Sequence, residues 1–195
     1  MSVDLTGLPI RASVLSRQRF GGKLQGALGG PAQHIDRAGD RYSQAIETPP
    51  MRVQPDGREW HAKLLAAEKE GGLFRISQPG LDIGNPGAPV IAAATLAGTT
   101  IPVAGLAAGY VVRAGQWFSI IHAGRRYADQ ARYAVAADAG GNAAIVMQNL
   151  LRVSLAAGDV VEIALPKIEG SVDGVPLDLP VTRTTSFSIR VDEDE

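Results

Sequence analysis

Three histidines, His34, His61 and His122, are the side chains best suited to move protons near neutral pH. None belongs to an HExxH or HxH pair, so no two of them have metal-ligand spacing. A nucleophilic site would join Ser119 or Ser154 to His122 and to an acid such as Asp129. Ser119 and His122 stand three apart on an alternating segment, which turns them to opposite faces of a strand. No Gly-x-Ser-x-Gly elbow occurs. Asp36 with Asp40, or Asp129 with Asp138, could pair as carboxylates, yet nothing in the spacing selects them. Asp138-Ala-Gly-Gly-Asn142 lacks the alternating acids and closing glutamate of a calcium loop. The glycine-rich stretch 21–31 contains Gly22-Lys23, but Leu24 follows and position 17 is Arg, so it is no phosphate-binding P-loop. Arg125, Arg126, Tyr127, Arg132 and Tyr133 form a basic and aromatic cluster of the kind that stacks bases. In a near-neutral chain a protein contact or a solvated face is the simpler role. Trp117 and Phe118 read as core or interface rather than ligand box. The expectation is therefore no enzyme, with no catalytic, cofactor-binding or metal-binding residues.

The elements that would have to position any site are mostly short strands. The stretch Ala108–Pro166 alternates apolar runs with glycine turns, and one phrase occurs twice: Arg113-Ala114-Gly115-Gln116-Trp117-Phe118-Ser119-Ile120, then Ala156-Ala157-Gly158-Asp159-Val160-Val161-Glu162-Ile163. Glycine supplies the positive φ of a tight turn, and the residues after it suit a half-buried strand. Strands are expected at 11–16, 40–48, 73–77, 90–96, 99–103, 109–112, 116–122, 125–137, 143–147 and 159–165, with Asp138–Asn142 as a hairpin turn. One helix stands out at 56–70. Asp56 is its expected N-cap, with Glu59 completing a capping box, and Trp60, Leu64 and Ala67, with Leu65 beside them, form its apolar stripe. Gly71-Gly72 ends it. The loop Gln78–Pro89 holds three prolines and three glycines and marks a boundary. After Pro166 comes a loop, Gly170-Ser171-Val172-Asp173-Gly174-Val175-Pro176, then a closing strand with Phe187, Ile189 and Val191 on one face. Asp192-Glu193-Asp194-Glu195 reads as a solvated acidic end.

These elements give a mainly β fold with one main α-helix. Residues 1–84 form a β-sandwich-like part with a hairpin arm (21–31) and the helix. Residues 85–170 form a second small β module. Residues 171–195 supply a closing strand, expected to return to the first part, and the acidic tail. With 195 residues, no cysteine, 19 basic and 20 acidic side chains, the chain needs no disulfide and does not look like a strongly basic nucleic-acid binder. No signal peptide is read at the start. Val90–Val112 is free of charge and long enough to span a bilayer. However, Gly98, Pro102, Gly105 and Gly109 favour short strands and turns over a membrane helix.

In order, these features resemble the distal tail proteins of siphovirus-type bacteriophages, which have long non-contractile tails, and their relatives in gene-transfer particles. The likeness rests on Arg41–Met51 followed by Glu59–Leu65, on Ala114–Ile120, on Ala137–Ala143 leading to Leu150-Leu151-Arg152, and on Ser186–Ile189. It covers about 40–191, and its motifs are loose. Gln116 stands where such proteins usually have Asp, Asn149-Leu150 where they have Pro-Pro, and the arm at 21–31 matches no signature. The resemblance implies a structural virion protein at the distal end of the tail, made in the host cytoplasm. It would form a homo-oligomeric ring, commonly a hexamer, that adapts the tail tube to the baseplate hub and receptor-binding parts. The tape-measure protein and DNA would pass through the opening, the DNA without specific binding, and no membrane is involved. A near-neutral or acidic lumen suits that passage, because phosphate binding needs clustered Lys and Arg. On this reading the acidic end faces the lumen or a neighbouring ring. The alternative is a carbohydrate- or receptor-binding β module at a tail tip, using Trp117, Tyr110 and Tyr127.

Overall fold

The computed structural model describes residues 2–26 and 29–194. Ala27 and Leu28 of the expected arm, and Glu195 of the acidic end, lie outside the described residues. The strands are β1 (Val3–Asp4), β2 (Ala12–Gln18), β3 (Gly22–Leu24), β4 (Gln33–Ile35), β5 (Arg41–Glu47), β6 (Met51–Arg52), β7 (Gly72–Arg75), β8 (Gly87–Ile91) and β9 (Thr100–Leu106). They continue with β10 (Val111–Val112), β11 (Trp117–His122), β12 (Arg125–Gln130), β13 (Val135–Ala136), β14 (Ala143–Val146), β15 (Val160–Glu162), β16 (Lys167–Asp173), β17 (Thr184–Thr185) and β18 (Ser188–Glu193). The helix α1 spans Arg58–Glu70. The fold is mainly β with this one main helix.

The first sheet has six strands in the order β1-β7-β16-β18-β5-β2. Its inner face carries Ile46, Phe74, Ile168, Val172, Ile189 and Val191, all buried in one core. Two pieces cover that face. One is α1, whose Leu64 and Ala67 are fully buried and whose Trp60 and Leu65 pack partly against the core. The other is the neighbouring module, which sends Ala128 and Trp117 into the same core.

That module is a second six-stranded sheet, β12-β11-β15-β8-β9-β14. Its two edges meet just past β12 and β14. Ala131 bridges Met147, Arg132 N donates to Val146 O at 2.7 Å, and Gln148 N donates to Gln130 O at 3.0 Å. The sheet thus curls back on itself around Ile91, Ile101, Val103, Phe118, Ile120, Ile145 and Val161. The edges meet at that end; farther along β12 the amides of Ala128 and Arg126 donate instead to Glu193 and Glu169 of the first sheet. The closure explains why the expected long strand at 125–137 is two pieces. The chain bends at Ala131–Ala134, so β13 leaves β12's sheet and pairs with β10.

The repeated phrase folds twice into the same turn. Gln116 N donates to Arg113 O at 3.1 Å and Asp159 N to Ala156 O at 3.3 Å, with Gly115 and Gly158 at φ 81° and 93°. In each turn the fourth side chain reaches back to the first amide: Arg113 N donates to Gln116 Oε1 at 2.9 Å, and Ala156 N to Asp159 Oδ2 at 2.7 Å. Glutamine fits where aspartate was the family expectation because its longer amide also donates to Tyr110 Oη at 2.9 Å.

Several expectations need correction. Asp56 is not the N-cap, and no capping box forms. The irregular turn Val53–Gly57 precedes α1, whose cap is Gly57 with no side-chain hydrogen bond. Asp138–Asn142 is a turn, with Asp138 Oδ1 accepting from Gly140 N and Asn142 N at 2.8 Å each. The strands around it do not pair with each other, because β13 goes to β10 and β14 to β9. Residues 170–173 of the expected loop lie in the strand β16, which belongs to the first sheet, so residues 167–170 leave the expected 85–170 module. The run at 192–194 is not a free tail. Asp192 and Glu193 lie in β18, and Glu193 is buried.

Gly170 explains why β16 resembled a loop. It sits at an inward position opposite Glu193, and a Cβ there would run into the backbone of Asp192. Gly170→Ala is expected to force β16 from β18 and cost about 1–3 kcal/mol, as overpacking of a core does. A reduced denaturant midpoint checks this, and an unchanged one refutes the close approach.

Candidate functional site

The polar chemistry of the described residues gathers where the first sheet meets the barrel. Its centre is Glu193, the last residue of β18, whose side chain faces the inner surface with Val191 and Ile189. One oxygen accepts from Ala128 N at 2.7 Å and from Arg152 Nη2 at 2.6 Å, and the other from Tyr42 N at 3.2 Å. Ala128 and Arg152 belong to the barrel module, and Tyr42 lies on β5, so one carboxylate ties both modules together. Burial pushes the Glu193 carboxyl above its ordinary value, and Arg152 opposes that shift. The Arg152 guanidinium also lies 5.2 Å from the Tyr127 ring centroid.

Asp129 is the second buried acid of this junction. Its Oδ1 accepts from Gln130 N at 2.6 Å, Gln148 N at 3.2 Å and Tyr42 Oη at 3.3 Å. Burial raises its carboxyl to about 7 against the pull of those amides, and the Glu193 charge adds to the rise. Tyr42 is raised as well, by burial first and then by Asp129. Its ring meets Trp117 edge-on at 4.7 Å. Asn149, at the position of the expected Pro-Pro, is buried and accepts from Arg17 Nη1 at 3.1 Å.

A second ionic cluster flanks the first. Arg126 holds Glu162 at 3.1 Å and Glu169 at 3.5 Å, Lys167 Nζ donates to Glu162 at 2.7 Å, and Ser119 Oγ donates to it at 2.8 Å. Burial alone would raise the Glu162 carboxyl. The bonds from Lys167 and Ser119 and the Arg126 charge outweigh it and hold the carboxyl low. Arg125, Arg126, Tyr127 and Glu169 also line an open cleft of about 460 Å³ with Asp4, Glu70 and Asp194.

Neither a protein-family model nor a curated protein matches the chain. The structure does not assemble Ser119, His122 and Asp129. Ser119 is buried on Glu162, His122 Nδ1 lies 2.7 Å from Asp159 Oδ2 on the neighbouring turn, and Asp129 faces Tyr42. Ser154 is exposed and donates to Leu96 O at 3.4 Å. His61 Nε2 contacts Pro176 O at 2.7 Å and stacks on Phe187, while His34 is exposed on β4. Asp36 and Asp40 do not pair with each other. Each faces an arginine, Arg19 at 3.4 Å and Arg17 at 3.6 Å. The basic-aromatic cluster is divided by the bend after β12, with Arg132 over Tyr133 at 5.4 Å and Arg126 bound to acids.

Sequence reasoning missed Glu193, Arg152 and Asp129 acting together. Arg152 was legible as part of Leu150-Leu151-Arg152, and its partner lies 41 residues downstream inside an acidic run. Chemically the arrangement fastens two modules in a fixed relation.

Proposed function

We propose that this chain is a structural virion protein, a ring-forming distal tail adaptor. A homo-oligomeric ring, with a hexamer as the expected order, would join the tail tube to the baseplate hub and tail-tip proteins. It would leave a channel for the tape-measure protein and for DNA ejection. The observation that carries the reading is the outer edge of β2. Seven residues long, Ala12–Gln18 pairs with β5 on one side and with no strand on the other among the described residues. An open edge of that length is a template for a neighbouring chain, and a head-to-tail contact between different patches gives a ring when its rotation closes. The locked junction supports this, because a ring needs protomers of one shape.

The alternative is a carbohydrate-binding module, which needs exposed aromatics. Trp117 packs on Tyr42, Tyr110 bonds Gln116, and Tyr127 lies under Arg152, so each is already engaged. We therefore keep the adaptor as the better-supported reading.

Sedimentation velocity and negative-stain imaging of the purified protein test it. Rings are expected at moderate concentration. Val14 is 65% exposed on β2, so Val14→Lys is expected to shift rings toward protomers with an unchanged melting temperature. A strictly monomeric protein, together with tail particles lacking such a ring, would overturn the adaptor.

A further inference from the structure

A recess between the arm-bearing edge of the first sheet and the barrel gathers four arginines: Arg17, Arg19, Arg37 and Arg132. Three come from the segment around the arm, and Arg132 comes from the bend after β12. Two of the charges are answered, Arg17 by Asp40 and Arg19 by Asp36. Among the described residues Arg37 and Arg132 have no carboxylate, and both are exposed. Arg132 rests on the Tyr133 ring, which leaves its guanidinium edge able to donate. The recess thus carries a surplus of two positive charges in a protein whose net charge is −1. Gln148 adds an uncharged amide to its wall. Like charges confined in one recess repel, and an anion relieves that repulsion.

Shape narrows the ligand. The recess measures about 230 Å³, below the roughly 300–1,000 Å³ of pockets that enclose a whole organic ligand. It takes a group rather than a molecule. Forked guanidinium donors match tetrahedral and planar oxyanions in pairs, which a lysine point charge does not. We propose that this recess is an oxyanion site that takes a phosphate group, either as free phosphate or as one phosphodiester of a polynucleotide. Contact with a single backbone phosphate is independent of sequence and weak. A polynucleotide held this way is touched without being gripped. The site goes beyond the adaptor reading and stands without it, since every residue in it belongs to one chain.

The test uses the full chain in low-salt buffer, with inorganic phosphate followed by calorimetry and a fluorescent 20-base oligonucleotide followed by anisotropy. The comparison protein is Arg37→Ala/Arg132→Ala, both exposed positions, with folding checked by circular dichroism. At least one ligand is expected to bind, with affinity falling about tenfold or more in the double variant. For the oligonucleotide, a single strand, the slope of log affinity against log salt is expected at about −0.7, the value for one phosphate neutralised. Saturation by phosphate without oligonucleotide binding assigns the free ion. Oligonucleotide binding that phosphate displaces only at far higher concentration assigns the polynucleotide. If neither ligand binds, or if the double variant binds as well as the parent, the site is overturned. Ring formation, scored separately by sedimentation, bears on the adaptor alone.

Discussion

Arg152→Ala is expected to cost about 3–5 kcal/mol of folding stability, the range for removing one partner of a buried ion pair. The Arg152 side chain is 12% exposed and Glu193 is fully buried, with Nη2 to Oε1 at 2.6 Å. Without the guanidinium, the Glu193 carboxylate keeps the amides of Tyr42 and Ala128 but faces the Asp129 charge uncompensated. Its carboxyl, already raised by burial, rises further, so the variant's deficit shrinks as pH falls and the acid takes up a proton. Glu193→Gln in the Arg152→Ala background removes the stranded charge and keeps one acceptor oxygen, so it is expected to recover part of the loss. Urea unfolding of the four proteins of this cycle at pH 8 gives the coupling. A deficit below about 1 kcal/mol for Arg152→Ala would match a solvent-screened pair and would sink the buried junction.

Much of the scaffold is legible in the chain because its causes are local. Ala-Gly turns before alternating strands announce themselves twice, and Ile189 and Val191, with Phe187 just before the strand, give the buried face of β18 by period alone. The apolar stripe of α1 is visible for the same reason. What was not legible depends on distant partners. An acidic run at a chain end has no local mark that one of its members is buried, and Glu193 is buried only because Arg152 and two amides from elsewhere receive it. The strand at Lys167–Asp173 has clean alternation in Ile168 and Val172. Its third inward residue is Gly170, which reads as a turn until the approach of Asp192 explains it. Asp56 with Glu59 has cap spacing, but the irregular turn Val53–Gly57 moves the helix start past Asp56. The expected single strand at 125–137 fails because barrel closure, which spans 131 to 147, bends it.

Asp129→Asn is expected to change the pH dependence of stability more than any other single substitution at the junction. The groups facing Asp129 are Tyr42 from β5 and Glu193 from β18, with Gln130 and Gln148 supplying amides. Its folded carboxyl lies at about 7, and an unfolded aspartate at about 3.9. Between those values the folded chain holds a proton that the unfolded chain has lost. Stability from this group is therefore fully present below pH ~4 and falls as pH rises to about 7, by on the order of 4 kcal/mol at most. Glu193 is raised in the same direction and adds to the slope. Asp4, Asp138 and Glu162 are lowered, so they act oppositely, and the parent curve alone mixes both signs. The difference between parent and Asp129→Asn isolates the site. Asparagine keeps an oxygen for the Gln130 and Gln148 amides and never ionises. The variant is expected to gain on the parent in urea midpoints from about pH 4 to about pH 7 and to level off above that. Parallel curves would show that Asp129 is ionised in the folded chain throughout. The consequence reaches the junction itself, because Asp129 joins Tyr42 of the sheet to the strand ends that close the barrel. A carboxylate formed there beside Glu193 sets two buried negative charges against one arginine, so the two modules are held most firmly when Asp129 keeps its proton.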